Sequence, residues 1–209
     1  MNGKPLNPDT LNKALQTVTE FYDQRKVGHA GPLGFRRSSD LARVQACVDG
    51  LMARSLLVPQ ETLFLDMGCA DGRVNVLMRY VTKKSIGIEV NEWIFEEYVP
   101  AKAELDEALK DGQLPVPPDN ISLFLGDTLG DEIRRSIKDE TGVDFEDFDL
   151  FYTYLTMYEE FSELIFRKAK RGSIFMVYGL DKVLPKIRGF QLLTPKKPIE
   201  GIIALYQKM

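Results

Sequence analysis

Residues 63–78 read LFLDMGCADGRVNVLM, and this stretch decides the fold. Leu63 to Met67 is a short, nearly continuous apolar run, the pattern of a strand covered on both faces. Gly68-Cys69-Ala70-Asp71-Gly72 follows, five small or polar residues that cannot extend the strand. Apolar residues then return at helical spacing from Val74 to Tyr80. Strand, tight loop and helix in that order form the first unit of an α/β domain.

The alternation continues downstream. Strands are predicted at Ser85–Val90, Ile121–Leu125, Asp149–Leu155 and Ser173–Tyr178. Helical stretches are predicted at Glu92–Leu109, with Pro100 kinking or restarting it, at Asp131–Lys138 and at Met157–Lys170. Asp111-Gly112 is expected to end the first of these, glycine being common just past a helix C-terminus. Gly189–Leu193 and Ile202–Gln207 read as two strands joined by PKKPIEG, hence an antiparallel hairpin. Such an order implies a doubly wound, mostly parallel sheet with right-handed crossovers.

Upstream, Asn7 is a candidate N-cap with Pro8 at the first helical position. Leu11, Leu15, Val18 and Tyr22 then share one helix face. The segment VGHAGPLGFRRSS, residues 27–39, reads as loop, and a second helix is expected from Ser39 to Ser55. Residues 1–58 are thus expected to form a helical segment covering the site, and residues 59–209 the α/β domain.

Composition narrows the function classes. The chain has 209 residues, 44% of them apolar, and a net charge of −4. A mildly acidic chain has no global attraction to nucleic acid or anionic membrane. Cys47 and Cys69 show no metal-type spacing, and reduced thiols in a cytoplasmic protein are the simpler reading. The first ten residues, MNGKPLNPDT, contain no apolar signal core, and no run approaches the length of a membrane span. No metal-ligand cluster is visible.

Ligands of open α/β sheets bind outside the carboxyl ends of the strands. Small residues at Gly68, Ala70 and Gly72 let a ligand approach the backbone, and the helix N-terminus offers free N–H groups. The spacing differs from the dinucleotide fingerprint G-x-G-x-x-G, which disfavours a nicotinamide-linked oxidoreductase, and no Gly-Lys-Ser/Thr follows for a P-loop. Asp66-x-Gly68-x-Ala70-x-Gly72 instead resembles motif I of the class I, seven-strand S-adenosylmethionine-dependent methyltransferases.

That resemblance extends over roughly residues 60–180 and implies a Rossmann-like seven-strand sheet, with S-adenosylmethionine as cofactor. It assigns Asp66, Gly68, Cys69, Ala70 and Gly72 to the cofactor loop, with Asp66 expected to order the loop and its amides rather than to do chemistry. Glu89, ending the second strand, is implied as acceptor for both ribose hydroxyls, flanked by Val90 and Asn91; the plain alternative is a solvated strand-end carboxylate. Asp127, with Gly126 and Thr128, is implied to face the adenine, and a helix N-cap is an equal or concurrent role for it.

The acceptor side is less defined. Tyr152-Thr153-Tyr154-Leu155 lacks the Asn/Asp-Pro-Pro-Tyr/Phe turn of adenine- and glutamine-methylating branches. Asp71–Val74 (DGRV) and Tyr152–Leu155 (YTYL) are similar to phrases in small protein-lysine methyltransferases. Tyr152 and Tyr154 are candidates for an aromatic wall against a cation, or else for core packing. Glu159 is a candidate base, but Thr156 and Glu159 also read as a capping box. His29 is a lid or base candidate, Arg36 or Arg37 a partner for a carboxylate; all three also fit exposed loop residues. The expected acceptor is a nitrogen, with protein lysine as one candidate; a small molecule, or a binding module without catalysis, stays open.

Overall fold

The computed structural model describes residues 7–25, 38–194 and 197–209. Two helices open the chain, α1 (Pro8–Gln24) and α2 (Leu41–Ala53). Asn7 Oδ1 accepts from the Asp9 amide (2.9 Å) and Pro8 opens α1, as the sequence predicts. α2 starts two residues later than expected. Asp40 caps it, and the Asp23 carboxylate of α1 accepts from Leu41 N (2.8 Å) and Ala42 N (3.1 Å). A side chain from the preceding helix thereby satisfies donors that a helix start leaves free.

Alternation then follows: β1 (Leu63–Met67), α3 (Arg73–Arg79), β2 (Lys84–Glu89), α4 (Glu92–Phe95), α5 (Tyr98–Asp111), β3 (Ile121–Leu125), α6 (Asp131–Thr141), β4 (Leu150–Tyr154), α7 (Tyr158–Lys168), β5 (Ile174–Tyr178), β6 (Phe190–Leu192) and β7 (Ile203–Lys208). The sheet order is β3-β2-β1-β4-β5-β7-β6. β7 runs antiparallel between β5 and β6, and the other neighbours are parallel. Strand order reverses between β1 and β4, the topological switch point where such sheets bind ligands.

Each strand face has its own core. Phe64, Leu150, Tyr152 and Met176 pack with α1, α2, α3 and α5. Leu65, Met67, Phe151 and Phe175 pack with α6 and α7. Leu15, Val18 and Tyr22 of α1 are buried in the same core as the strands, each contributing about 1.5–3 kcal/mol. No described helix is long and apolar enough to cross a membrane.

One local expectation needs correction. The stretch Glu92–Leu109 is two helices that part at Glu96–Glu97, and Pro100 lies in the first turn of α5, where its missing N–H is no loss. Asp111-Gly112 ends α5 as expected, Gly112 being its C-cap with φ −75°, and Gln113 takes the left-handed position after it. Between α6 and β4, Asp144 and Asp147 form a reciprocal cap, and Asp149 accepts from Leu63 N (2.8 Å) and pairs with Lys170 (2.5 Å).

Candidate functional site

The loop after β1 is held in a strained shape. Gly68, Ala70 and Gly72 have φ of 99°, 53° and 72°. For Ala70 the left-handed backbone costs about 1–2 kcal/mol. Hydrogen bonds hold it: Gly68 N (2.9 Å) and Cys69 N (2.8 Å) donate to Ile88 O, and Ala70 N donates to Glu89 Oε2 (2.8 Å). Glu89 Oε1 accepts from Asn91 N (2.9 Å). Glu89 therefore ties the loop to the end of β2 while each oxygen keeps a lone pair for a ligand.

Asp66 does not order these amides, contrary to the sequence reading. It is fully buried, and neither carboxyl oxygen has a hydrogen-bond partner among the described residues. Burial first, then Glu89 and Asp71, push its carboxyl well above the usual carboxylate range. The loop amides are taken instead by Ile88 O and Glu89 at the end of β2. Asp71 pairs with Arg73 (2.9 Å), both buried, and Arg73 lies over the Tyr22 ring, 5.4 Å from its centroid. This pair fastens the loop to α1, a role the sequence did not signal.

The two glycines of the loop serve different ends. A Cβ on Gly68 would meet nothing within 4 Å among the described residues, so its face is open to them. A Cβ on Gly72 would strike Tyr98 (2.7 Å) and Leu123 (2.8 Å), so this glycine seats α5 and β3 rather than a ligand. Gly87 acts likewise beneath Asn75, Leu123 and Cys69. Its place inside the apolar run SIGIEV was the available signal.

A cleft of about 680 Å³ opens at the carboxyl ends of β1 to β4. Gly68, Glu89, Val90, Asp127, Thr128 and Tyr154 line it, joined by Ile94, Thr153, Leu155, Met157 and Phe161, which sequence reasoning missed. Asp127 is exposed, and its Oδ1 accepts from Leu129 N (3.0 Å). α6 begins only at Asp131 with Gly130 as its cap, so Asp127 stabilises a turn and is not an N-cap.

The remaining candidates lie outside that lining. Cys69 is buried and burial pushes its thiol up. Asn91 gives its amide to Glu89; Gly126 N donates to Glu89 O (2.8 Å), and a Cβ there would strike Ile133. Tyr152 is buried and hydrogen-bonded to Ser39. Glu159 is exposed and accepts from Tyr158 Oη (3.0 Å). The capping box of Thr156 and Glu159 does not form: Met157, with φ 60°, precedes α7 and no side chain caps it. His29, Arg36 and Arg37 lie outside the described residues.

A larger cleft, about 830 Å³, lies at the opposite end of the strands, beside Lys83, Lys170 and Asp149. Volume does not decide between them. Open α/β sheets place ligands at the carboxyl ends, and the switch point between β1 and β4 is there. No metal-type cluster of His, Cys, Asp and Glu occurs among the described residues.

The strand order and this cleft can be set against solved structures. An RNA methyltransferase from Salinibacter ruber, in complex with S-adenosyl-L-homocysteine, superposes with a TM-score of 0.50 at 14% identity, over 83% of this chain and 93% of its own. The chain has the class I methyltransferase fold. The tRNA methyltransferase TrmI from Aquifex aeolicus matches with a TM-score of 0.52 at 12% identity, over 93% of this chain and 76% of its own. No family model matches the sequence, and no curated protein does.

Proposed function

We propose that the protein is an S-adenosylmethionine-dependent methyltransferase acting on a nitrogen. The cleft at the carboxyl ends of β1 and β2, with Gly68 open on one wall and Glu89 on the other, carries this reading. The neighbours' fold and the S-adenosyl-L-homocysteine of the Salinibacter ruber enzyme agree with it.

The bound cofactor supplies a methyl group already activated on a sulfonium. The chain's own residues bind and orient. Glu89 accepts from ribose hydroxyls with the lone pairs its backbone bonds leave free. Asp127 and Thr128 take the adenine end, and Gly68 lets the ligand approach the backbone. Ala70, Gly72, Asn91 and Gly126 hold the shape of these walls. Tyr154 forms the aromatic side of the acceptor pocket, where an amine gains from the ring face. Tyr152 positions Tyr154 and the start of α2. Glu159 remains a candidate base through its carboxylate at the start of α7. Ser39 bonded to Tyr152, and Asp40 N donating to Tyr178 Oη (3.1 Å), support the N-terminal residues as cover of the site.

For the acceptor, the missing Pro-Pro turn at Tyr152–Leu155 and the Tyr154 ring favour a protein lysine. The free, buried Cys47 and Cys69 agree with a cytoplasmic setting. The test is to incubate the purified chain with methyl-labelled S-adenosylmethionine and fractions of a cell lysate. Label in protein, released as methyl-lysine on hydrolysis, is expected. Label confined to RNA or to small metabolites would overturn the acceptor assignment.

A further inference from the structure

Charge and apolar surface are distributed unevenly around the cleft. The segments that follow β2, β3 and β4 toward it are residues 89–97, 125–128 and 153–161. Together they hold Glu89, Glu92, Glu96, Glu97, Asp127, Glu159 and Glu160, and no lysine or arginine. Glu92, Glu96, Asp127, Glu159 and Glu160 are exposed.

The same segments expose large apolar side chains. Val90 is 72% exposed, Trp93 42%, Leu125 43%, Leu155 37% and Met157 42%. Val90, Leu155 and Met157 belong to the cleft wall, whereas Trp93 and Leu125 extend the apolar surface beyond it. Exposed apolar surface framed by charge of one sign marks an interaction site more often than idle surface.

We propose that this rim docks a cationic polypeptide segment, with an apolar side chain laid on Trp93 and Val90 and lysines facing the carboxylates. The inference rests on the methyl-transfer reading of the cleft and names the acceptor's surroundings. Charge complementarity selects the occupant. A phosphate backbone would meet like charge on every exposed ionic group of these segments, whereas lysines meet opposite charge. The apolar surface outside the cleft selects a polypeptide over a small amine, which would be taken up inside the cleft and leave Trp93 and Leu125 uncovered.

Trp93 is the only tryptophan of the chain, so its emission reports events at the rim. The experiment titrates the full chain with a short peptide of repeated Lys-Leu-Lys-Ala units, with its Glu-for-Lys counterpart, and with oligouridylate. Binding of S-adenosylhomocysteine is followed in parallel by thermal shift. The lysine peptide is expected to give a saturable change in Trp93 emission that added salt weakens. The triple variant Glu92→Lys, Glu96→Lys, Glu160→Lys is expected to bind it about tenfold more weakly while keeping its S-adenosylhomocysteine shift. The other two probes are expected to leave Trp93 unchanged.

No response to the lysine peptide, an undiminished response in the triple variant, or an equal response to oligouridylate overturns the docking proposal. If the wild-type chain shows no S-adenosylhomocysteine shift, the cofactor reading falls instead. The two failures are thereby told apart.

Discussion

The two ends of the sheet treat their polar groups in opposite ways. At the amino end, several charged side chains are engaged inside the chain. Asp149 accepts from Leu63 N and pairs with Lys170, Lys84 donates to Thr141 O, and Asp144 pairs with Lys138 and caps a turn. At the carboxyl end, among the described residues, Asp66 has no hydrogen-bond partner, Gly68 faces open space, and the exposed carboxylates of Glu92, Glu96 and Glu160 lie among exposed apolar side chains. One end is finished by its own contacts. The other carries strain and unmatched charge that a bound ligand relieves, as functional sites do.

That contrast is open to breakage, and the largest effect is expected where ligand site and core meet. Gly72→Val forces a β-branched residue into left-handed backbone against Tyr98 and Leu123. It should lower unfolding free energy by about 2–5 kcal/mol in urea titrations. Glu89→Ala removes the acceptor of two backbone amides and the proposed ribose contact. Affinity for S-adenosylhomocysteine should fall by about 2–3 kcal/mol, roughly 30- to 150-fold, in calorimetric titrations.

Asp149→Ala sharpens the comparison from the other side. It takes the acceptor from Leu63 N and the partner from Lys170, and should cost about 1–2 kcal/mol of stability. Its affinity for S-adenosylhomocysteine should match the wild type, because nothing at the cleft depends on it. Equal losses of binding in Glu89→Ala and Asp149→Ala would erase the distinction between the two ends.

The smallest effect concerns Asp66. Burial, with Glu89 and Asp71 beside it, raises its folded pKa, so the folded chain holds this proton more tightly than the unfolded one. The associated stability is complete below the unfolded value of about 4 and is lost as pH rises through the folded value. Asp66→Asn carries no such charge. The thermal midpoint of the variant minus that of the wild type, both without ligand, should be larger at about pH 8 than at about pH 5. A difference independent of pH would mean that Asp66 is partnered or ionised.

Much of this fold was legible because short apolar runs end abruptly. β1 and β3 begin and end where LFLDM and ISLFL do, each being closed by a glycine. Asn7-Pro8 declared the start of α1 in the same local way. What stayed hidden depends on residues distant in sequence. The start of α2 is held by Asp23, and the purpose of Gly72 is set by Tyr98 and Leu123. Local spacing misled at α7, because a capping-box pattern does not reveal that Met157 will turn left-handed and shift the helix start.

At the site, the resemblance to motif I and the positions that accompany it implied Gly68, Glu89, Val90, Asp127 and Thr128, and all five line the cleft. Division of labour was not legible. Asp66 and Tyr152 are buried within their strands and do not line the cleft, Tyr152 being bonded to Ser39, whereas Tyr154, two residues further along the same face, reaches it. The apolar contributors Leu155, Met157 and Phe161 meet the cleft through the turn after β4, a geometry with no pattern in the sequence.

The central claim is that the carboxyl-end cleft is built for S-adenosylmethionine. It is tested most directly by calorimetric titration of the wild-type chain with S-adenosylhomocysteine and, separately, with NAD. Saturable heat at one S-adenosylhomocysteine per chain, with none from NAD, is the expected result. No heat from S-adenosylhomocysteine, or binding of NAD in its place, would contradict the account.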